Sequence, residues 1–507
     1  MHTITFLLKT VPDTAMELEK RIQILWRMHN ALVKHAQHGI NRMRNSREYR
    51  DTLKEYQEIA SSLKQKKLSA SDRKSLSAKK EELSKKLSGI RIQNGLSQAE
   101  LEKYIAIMQR RYRHLISSQQ AQKEAVRVWH GVEKVLFGNG KHLRFKKLRD
   151  MCSISQKCAT NGAKLDLKHS VLEWLGISIP VQINKADPYV KGSISYKFRY
   201  CEIKRRRFSS GDRWYVTAYF DGPAPDKIKP ANGTFGIDLG TSTEAIVSSK
   251  GLELTELSPR CADYNRRIAR EQCLIDTDMR RDNPENYNPD GSVKKGRHKW
   301  NLSNGCKNRK MKLSALQRKK AAYTRQFQFE LAGRIIRNYG TNGIVETMDY
   351  QALQKRSRKA PERRIKTSMI KRKDGSVLTV HKFKKKRRFG KSLNDRAPAQ
   401  FLQILEMKCR QYEGRLLSID TRSFRASQYH HDTGAYIKPD LSDRWKTITG
   451  HRVQRDLYSA FLILHSNAAG TAPDQKQCIA DFSRFITLHD AYILAHAGED
   501  HPACFGF

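Results

Sequence analysis

The sequence of 507 residues contains no apolar run that approaches the roughly 20 residues of a membrane-spanning helix. Its N-terminus, MHTITFLLKTVPDTAMELEK, is weakly apolar and lacks the basic start of a secretory signal peptide. The nine cysteines are scattered without a C-x-x-C pair, so their spacing encodes neither a disulfide framework nor a zinc knuckle. These absences argue against membrane and secreted proteins, and we expect a reducing cytoplasmic location.

Acidic residues are scarce, since 51 Asp and Glu stand against 97 Lys and Arg, for a formal net charge of +46. A basic excess of this size is typical of proteins that bind a polyanion. A merely solvated surface would carry charges of both signs near balance. The length exceeds what one hydrophobic core usually organises, so we expect two to three domains.

The N-terminal half begins with a short alternating strand, TITFLLKT, and then continues as basic, helical sequence to about Leu175. Thr14 and Glu17 have the spacing of a capping box and predict the start of the first helix there. Beyond Pro180 the period changes, because ISYKFRY and RWYVTAYF alternate like two strands around a basic turn, KRRRFSSGD. This hairpin and the N-terminal strand predict a small β-domain.

Three short stretches of the C-terminal half place a carboxylate beside an apolar run. They are TFGIDLGTST with Asp238, NGIVETMDY with Glu346, and VQRDLYSAF with Asp456. Such runs predict buried strands or helix starts, where a carboxylate is costly unless a cation neutralises it. Three carboxylates that converge could hold a pair of Mg²⁺ ions, the arrangement that clamps a scissile phosphate in nucleases. We therefore expect a metal-dependent nuclease with these three residues as catalytic metal ligands, and Asp349 and Asp420 as structural residues.

Basic segments supply candidate contacts with nucleic acid. The segment from Lys355 to Lys391 is strongly basic and low in apolar residues, which favours a mobile phosphate-binding loop over a solvated tail. A helix predicted around Leu316 carries further cations on its flank. The candidate contact residues are Lys204, Arg205, Arg206, Arg207, Arg318, Lys319, Lys384, Lys385, Lys386, Arg387 and Arg388.

The order of the acidic segments, with basic sequence between them, resembles the split RuvC-like nuclease domain of TnpB. TnpB proteins are transposon-encoded, RNA-guided DNA endonucleases from which type V CRISPR–Cas effectors descend. The resemblance covers the C-terminal domain through GIDLGTST, CKNRKMKLSALQRKKAA, GIVET, FLQILEMKCRQYEG and QRDLYSAF. The N-terminal part is similar in layout alone. Carried over by position, the catalytic acids of the family fall on Asp238, Glu346 and Asp456.

The resemblance implies an α+β multidomain protein. Residues 1–12 and 180–228 would form a β-barrel wedge domain, residues 13–179 a helical recognition lobe, and residues 229–507 an RNase H-like nuclease domain. It also implies two Mg²⁺ ions, a guide RNA of transposon or CRISPR origin (with or without a second RNA) and a double-stranded DNA target beside a short recognised motif. A prokaryotic monomer or homodimer follows from the same resemblance.

The chain departs from the family where a zinc knuckle usually precedes the last acid. Residues 421–453 would be a degenerate, cysteine-free version of that insertion, since no cysteine lies between Cys409 and Cys478. His430, His431 and His451 do not restore the ligand spacing of a tetrahedral zinc site. We therefore expect no zinc, and a segment held by its own packing.

Two other functions remain open at this point. One is a guided DNA binder or repressor that does not cleave, against which the three intact acids argue. The other is a transposase or junction resolvase on the same RNase H-like fold, which would not need a large helical lobe. Purified protein that carries a defined, structured RNA would favour a guided enzyme over a resolvase.

Replacing Lys384, Lys385, Lys386, Arg387 and Arg388 by glutamine should weaken nucleic-acid binding without unfolding the protein. Each lost phosphate contact should lower the salt dependence of the binding constant by roughly 0.7 to 0.9 in log–log slope. Binding titrations at several salt concentrations measure this slope. A variant that binds like the parent at every salt concentration would show that the run is merely solvated.

Overall fold

The computed structural model describes residues 1–64, 69–138, 140–208, 210–354, 365–371, 377–383, 389–440, 442–498 and 505–506. The chain divides into two compact units, Met1–Lys227 and Ile228–Phe507. Over the described ranges, no helix is both long enough and apolar enough to cross a bilayer. The run from Lys384 to Arg388 lies outside these residues.

The first unit begins with one strand that is followed by five helices. They are β1 (His2–Leu8), α1 (Pro12–Asn45), α2 (Arg47–Ser62), α3 (Ala70–Gln93), α4 (Gln98–Arg111) and α5 (Ser118–Leu136). Helices α2 and α3 pack against each other as a hairpin. One face of α1 is buried against the rest of the unit through Leu18, Ile22, Leu25 and Leu32, at the spacing of an amphipathic helix.

The start of α1 differs from the prediction. The helix begins at Pro12, whose fixed φ suits the first helical position, and the preceding Val11 makes no side-chain cap. Thr14 therefore lies inside the helix, and the capping box predicted there is wrong. The Glu17 carboxylate instead accepts a hydrogen bond from Arg21 Nε at 3.2 Å.

A seven-stranded sheet completes the first unit, with β1 in its centre. Its other strands are β2 (Ser153–Ser155), β3 (Lys164–Asp166), β4 (Val171–Trp174), β5 (Ile177–Gln182), β6 (Phe198–Phe208) and β7 (Gly211–Phe220), and α6 (Pro188–Ile194) lies between β5 and β6. The order is β2-β6-β7-β1-β5-β4-β3. Strands β2 to β4 lie within the range 13–179 that the sequence assigned to helices, and strands of three or four residues are too short to show a period. Likewise, residues 204–207 belong to β6 and not to a turn.

The second unit is built on a five-stranded mixed sheet. Its elements are β8 (Thr234–Leu239), β9 (Thr243–Ser248), β10 (Gly251–Glu256), α7 (Cys261–Asp282), α8 (Asn304–Asn338), β11 (Asn342–Thr347), α9 (Tyr350–Gln354), β12 (Ile365–Lys371), β13 (Val377–Phe383), α10 (Gly390–Arg396), α11 (Pro398–Gln411), β14 (Leu416–Asp420), α12 (Thr421–Phe424), β15 (Trp445–Ile448), β16 (His451–Gln454), α13 (Arg455–Leu464) and α14 (Gln475–His496). The order is β10-β9-β8-β11-β14, with β8 to β10 antiparallel and β11 parallel to both neighbours. Strands β12 and β13 form a hairpin inside the segment predicted as a loop.

Helices cover both faces of this sheet. Phe235, Ile237 and Leu239 of β8 share one core with α8 and α11. The other face of the sheet packs against α13 and α14. Because side chains alternate along a strand, Gly236 and Asp238 lie on the α13 face.

Gly236 lets α13 lie directly against β8. A Cβ atom at this position would be 2.3 Å from the carbonyl oxygen of Ala460 and 2.5 Å from the backbone nitrogen of Leu464. Backbone atoms of a packed helix cannot move aside as the end of a side chain can. The glycine therefore sets the distance between the strand and the helix.

Gly236→Ala should lower the free energy of unfolding by about 1–3 kcal/mol, because the added methyl group forces α13 away from β8. Gly333→Ala is the matched control, since a Cβ at this mid-helix position of α8 meets nothing within 4 Å. It should raise stability by about 0.5–1 kcal/mol. Urea unfolding of both variants measures the difference, and equal midpoints would contradict the close-approach role of Gly236.

Candidate functional site

The strand register brings Asp238 and Glu346 side by side. Strand β11 runs parallel to β8, and Val345 pairs with Ile237. Asp238 and Glu346 occupy the next position on the two strands, where paired residues project to the same face of a sheet. Both lie near the carboxyl ends of parallel strands, which is where open α/β sheets place their ligand sites.

Asp456 reaches the same place from α13. Going from Gly236 to Asp238 advances about 7 Å along the strand, and going from Ala460 back to Asp456 covers about 6 Å of helix. Because Gly236 abuts Ala460, the two spacings place Asp456 opposite Asp238. Ser459 on the same helix makes a side-chain hydrogen bond with Asp238. The strand–helix contact therefore unites carboxylates that are far apart in the sequence.

The electrostatics show that the three acids act on one another. Burial raises the pKa of Asp238 well above its usual value, and the negative charges of Asp456 and Glu346 raise it further, while Arg455 opposes them. Burial also raises the pKa of Glu346, although the backbone N–H of Ala426 donates to its Oε1 at 3.0 Å. Negative charge is therefore crowded around Asp238, and a cation bound there would relieve it.

The donor atoms around Asp238 are carboxylate oxygens, which Mg²⁺ prefers, and this ion keeps several waters and needs few protein ligands. Within the described parts of the chain, however, no three His, Cys, Asp or Glu side chains are grouped so that they could hold a metal ion. The set therefore fits Mg²⁺ by its chemistry and its charge, although the carboxylates are not drawn together into a coordination shell.

Several neighbours of the acids were not identified from the sequence. Arg455 lies directly before Asp456 in QRDLYSAF, and its Nε and Nη2 each lie 3.1 Å from Asp456 Oδ1. A cation next to a candidate ligand was the available signal. Ala426 and Ser459 carried none, because a backbone N–H and a helix serine have no motif of their own.

Asp349 and Asp420 cap short helices. Asp349 Oδ1 accepts a hydrogen bond from the backbone N–H of Ala352 at 2.8 Å, and Asp420 Oδ1 accepts one from that of Arg422 at 3.2 Å. Aspartate at such positions satisfies an otherwise unpaired backbone donor. The geometry agrees with the structural role that the sequence indicated for both.

Aromatic packing accompanies the cysteine-free insertion 421–453. His431 is buried, its Nδ1 lies 2.8 Å from the hydroxyl of Tyr458 on α13, and its ring packs 4.5 Å from that of Phe482 on α14. Burial lowers the pKa of His431, which keeps the ring neutral near pH 7. These contacts fasten the segment to the two helices on the Asp456 side of the sheet.

The basic segment 204–207 does not present all of its cations to solvent. Arg205 is 4% exposed, forms an ion pair with Glu19, and donates from Nη2 to the carbonyl of Met151 at 3.1 Å. This correction follows from strand alternation, because Cys201, Ile203 and Arg205 project to the same buried face of β6. Arg205 is therefore a structural residue and not a surface contact.

The other candidate cations of the described residues lie at or near the surface. Arg206 and Arg207 are exposed on β6, and Lys204 is half-buried with its Nζ 2.9 Å from Glu202. Lys319 is exposed and Arg318 half-buried on α8. These residues keep their predicted role as phosphate contacts.

Arg205→Gln should lower the free energy of unfolding by about 1–3 kcal/mol, because Glu19 loses its partner and a buried polar group is left unsatisfied. The double variant Arg206→Gln, Arg207→Gln should unfold like the parent but bind RNA more weakly at low salt. Chemical denaturation and binding titrations of the two proteins separate these effects. The opposite assignment of effects would show that Arg205 faces the ligand.

No protein-family model matches the chain, and no curated protein matches it. The chain is similar to one in a cryo-EM structure of a Cas12f1–sgRNA–target DNA complex, with a TM-score of 0.43, 12% identity, and coverage of 91% of this chain and 87% of that chain. A cryo-EM structure of a CRISPR–Cas12f ternary complex is also similar, with a TM-score of 0.24, 14% identity, and coverage of 90% and 85%. Both are Cas12f structures, but at such identities and TM-scores the function of this chain has to be argued from its own residues.

Proposed function

We propose that the protein is an RNA-guided DNA endonuclease that hydrolyses DNA phosphodiesters with Asp238, Glu346 and Asp456. The observation that carries this proposal is the crowding of three carboxylates at the carboxyl end of β8, in a chain of net charge +46. A mixed sheet with helices on both faces supports the RNase H-like fold that the sequence resemblance implies. The strand–helix contact at Gly236 gives the site a rigid base.

Asp238, Glu346 and Asp456 would hold Mg²⁺, which supplies an activated water and stabilises charge on the phosphate, as two such ions do in nucleases. Asp238 must first lose the proton that its crowded surroundings favour. Arg455 fixes one oxygen of Asp456, and the N–H of Ala426 fixes one oxygen of Glu346. Carboxylates held in this way lose little freedom when they bind, so the site is partly prepared for its ligand.

The surface cations bind nucleic acid through its phosphates, which gives affinity and position without sequence selectivity. In a guided enzyme, sequence is selected by base pairing between the guide RNA and the target strand, while the protein recognises a short duplex motif. Exposed Arg206, Arg207 and Lys319 fit the first task. We assign the helices of the first unit to the recognition lobe and its seven-stranded sheet to the wedge domain.

One observation favours a second function, a guided DNA binder that does not cleave. The three acids influence one another but, over the residues that the structure describes, no metal-binding group is formed. A binder of this kind would carry a structured RNA and bind matching DNA without hydrolysing it.

Asp238→Asn should abolish guided DNA cleavage while RNA and DNA binding stay close to those of the parent protein. The substitution removes a metal ligand but leaves the cationic surfaces unchanged. Because it also removes repulsion between crowded carboxylates, stability without metal should equal or exceed that of the parent. Cleavage assays with co-purified RNA, gel-shift titrations and thermal unfolding in EDTA measure the three quantities.

Asp349→Asn is the matched control, since asparagine also caps a helix and this aspartate lies three positions after Glu346. It should retain cleavage. Parent protein that binds guide and target in Mg²⁺ but never cuts would establish the binder. Parent protein that carries no RNA would reject both functions and leave the resolvase.

A further inference from the structure

Tyr350 contributes a hydroxyl group next to the acids. It is the first residue of α9 and follows Glu346 by four positions. Its ring packs against the core formed by β8, α8 and α11. Its hydroxyl oxygen is buried and has no hydrogen-bond partner among the described residues. A buried hydroxyl without a partner lowers stability, so the structure keeps it there at a cost.

Asp238 is the acid whose charge the Tyr350 hydroxyl senses. Burial raises the pKa of Tyr350, and the negative charge of Asp238 raises it further. An ionised carboxylate accepts about four hydrogen bonds, so the bond with Ser459 leaves Asp238 with capacity for another donor. A phenol O–H is such a donor, and it lies beside the carboxylate.

The surroundings of Tyr350 are tied to the end of β8. Helix α9 contacts α10, and Ser392 of α10 donates a hydrogen bond from its hydroxyl to the carbonyl of Thr241 at 2.9 Å. Thr241 lies in the turn that follows Asp238 by three positions. The elements that carry Tyr350 and Asp238 are thus linked through α10 as well as through the shared core.

We propose that Tyr350 is a positioning residue for Asp238, to which its hydroxyl donates a hydrogen bond when the carboxylate is ionised and holds a metal ion. The inference rests on the proposed function insofar as Asp238 is taken as a metal ligand. The bond fixes the carboxylate rotamer and directs its other oxygen toward the ion. Outer partners of metal ligands act in this way, and their loss typically weakens metal affinity roughly 10- to 100-fold.

Tyr350→Phe tests this role, because phenylalanine keeps the ring packing and removes only the hydroxyl. Calorimetric titration of Mn²⁺ into the full-length protein should show affinity weakened by roughly 10- to 100-fold. Thermal unfolding in EDTA should be unchanged or shifted upward, since an unsatisfied buried hydroxyl is gone. The Mg²⁺ concentration for half-maximal cleavage should rise by a similar factor, whereas DNA binding should not change.

Tyr339→Phe is the matched control from the same core, because the Tyr339 hydroxyl lies 3.4 Å from Glu253 Oε2. It should bind Mn²⁺ like the parent protein. Asp238→Asn defines the signal that is left when the ligand is lost.

Three results bear on the inference. Equal Mn²⁺ affinity in the parent and Tyr350→Phe overturns it and leaves the nuclease proposal intact. Parent protein that binds Mn²⁺ through Asp238 without cutting guided DNA overturns the nuclease, while the Mn²⁺ comparison still decides the role of Tyr350. Absence of Asp238-dependent Mn²⁺ binding in the parent overturns the inference.

Discussion

The direct contact between β8 and α13 is the constraint on which the candidate site depends. Gly236 leaves no side chain between the two backbones, so the strand and the helix meet at the distance of their main chains. From that fixed point, two residues along the strand and four along the helix reach Asp238 and Asp456. Register with β11 then adds Glu346. The protein thereby holds like charges together, an unfavourable arrangement that packing on both faces of the sheet sustains.

The elements around the acids could be predicted from the sequence, because Asp238 and Glu346 each end a short apolar run and Asp456 heads an amphipathic one. Their register could not, since it depends on pairing between strands more than a hundred residues apart. The strands β2 to β4 were missed because three or four residues show no period. Arg205 was misplaced because its basic neighbours indicated a turn, although the alternation of Cys201 and Ile203 continues through it.

The insertion before Asp456 shows how a segment can be fastened without a metal. A zinc ion joins loops through a few strong bonds and depends on ligands at fixed spacing. Here the contacts of His431 with Tyr458 and Phe482 spread the same task over packed rings. Such packing is built from residues that are individually unremarkable in sequence, so their role emerges from the tertiary contacts rather than from a motif.

The glycine in the first acidic segment has a consequence for comparing sequences. A larger residue at 236 would have to be matched by a shift of α13, and that shift would carry Asp456 away from Asp238. Glycine two positions before the strand acid and a close helix turn four positions after the helix acid are therefore linked properties. In distant sequences where the acids alone are ambiguous, the joint presence of both spacings would distinguish an assembled site from two unrelated aspartates.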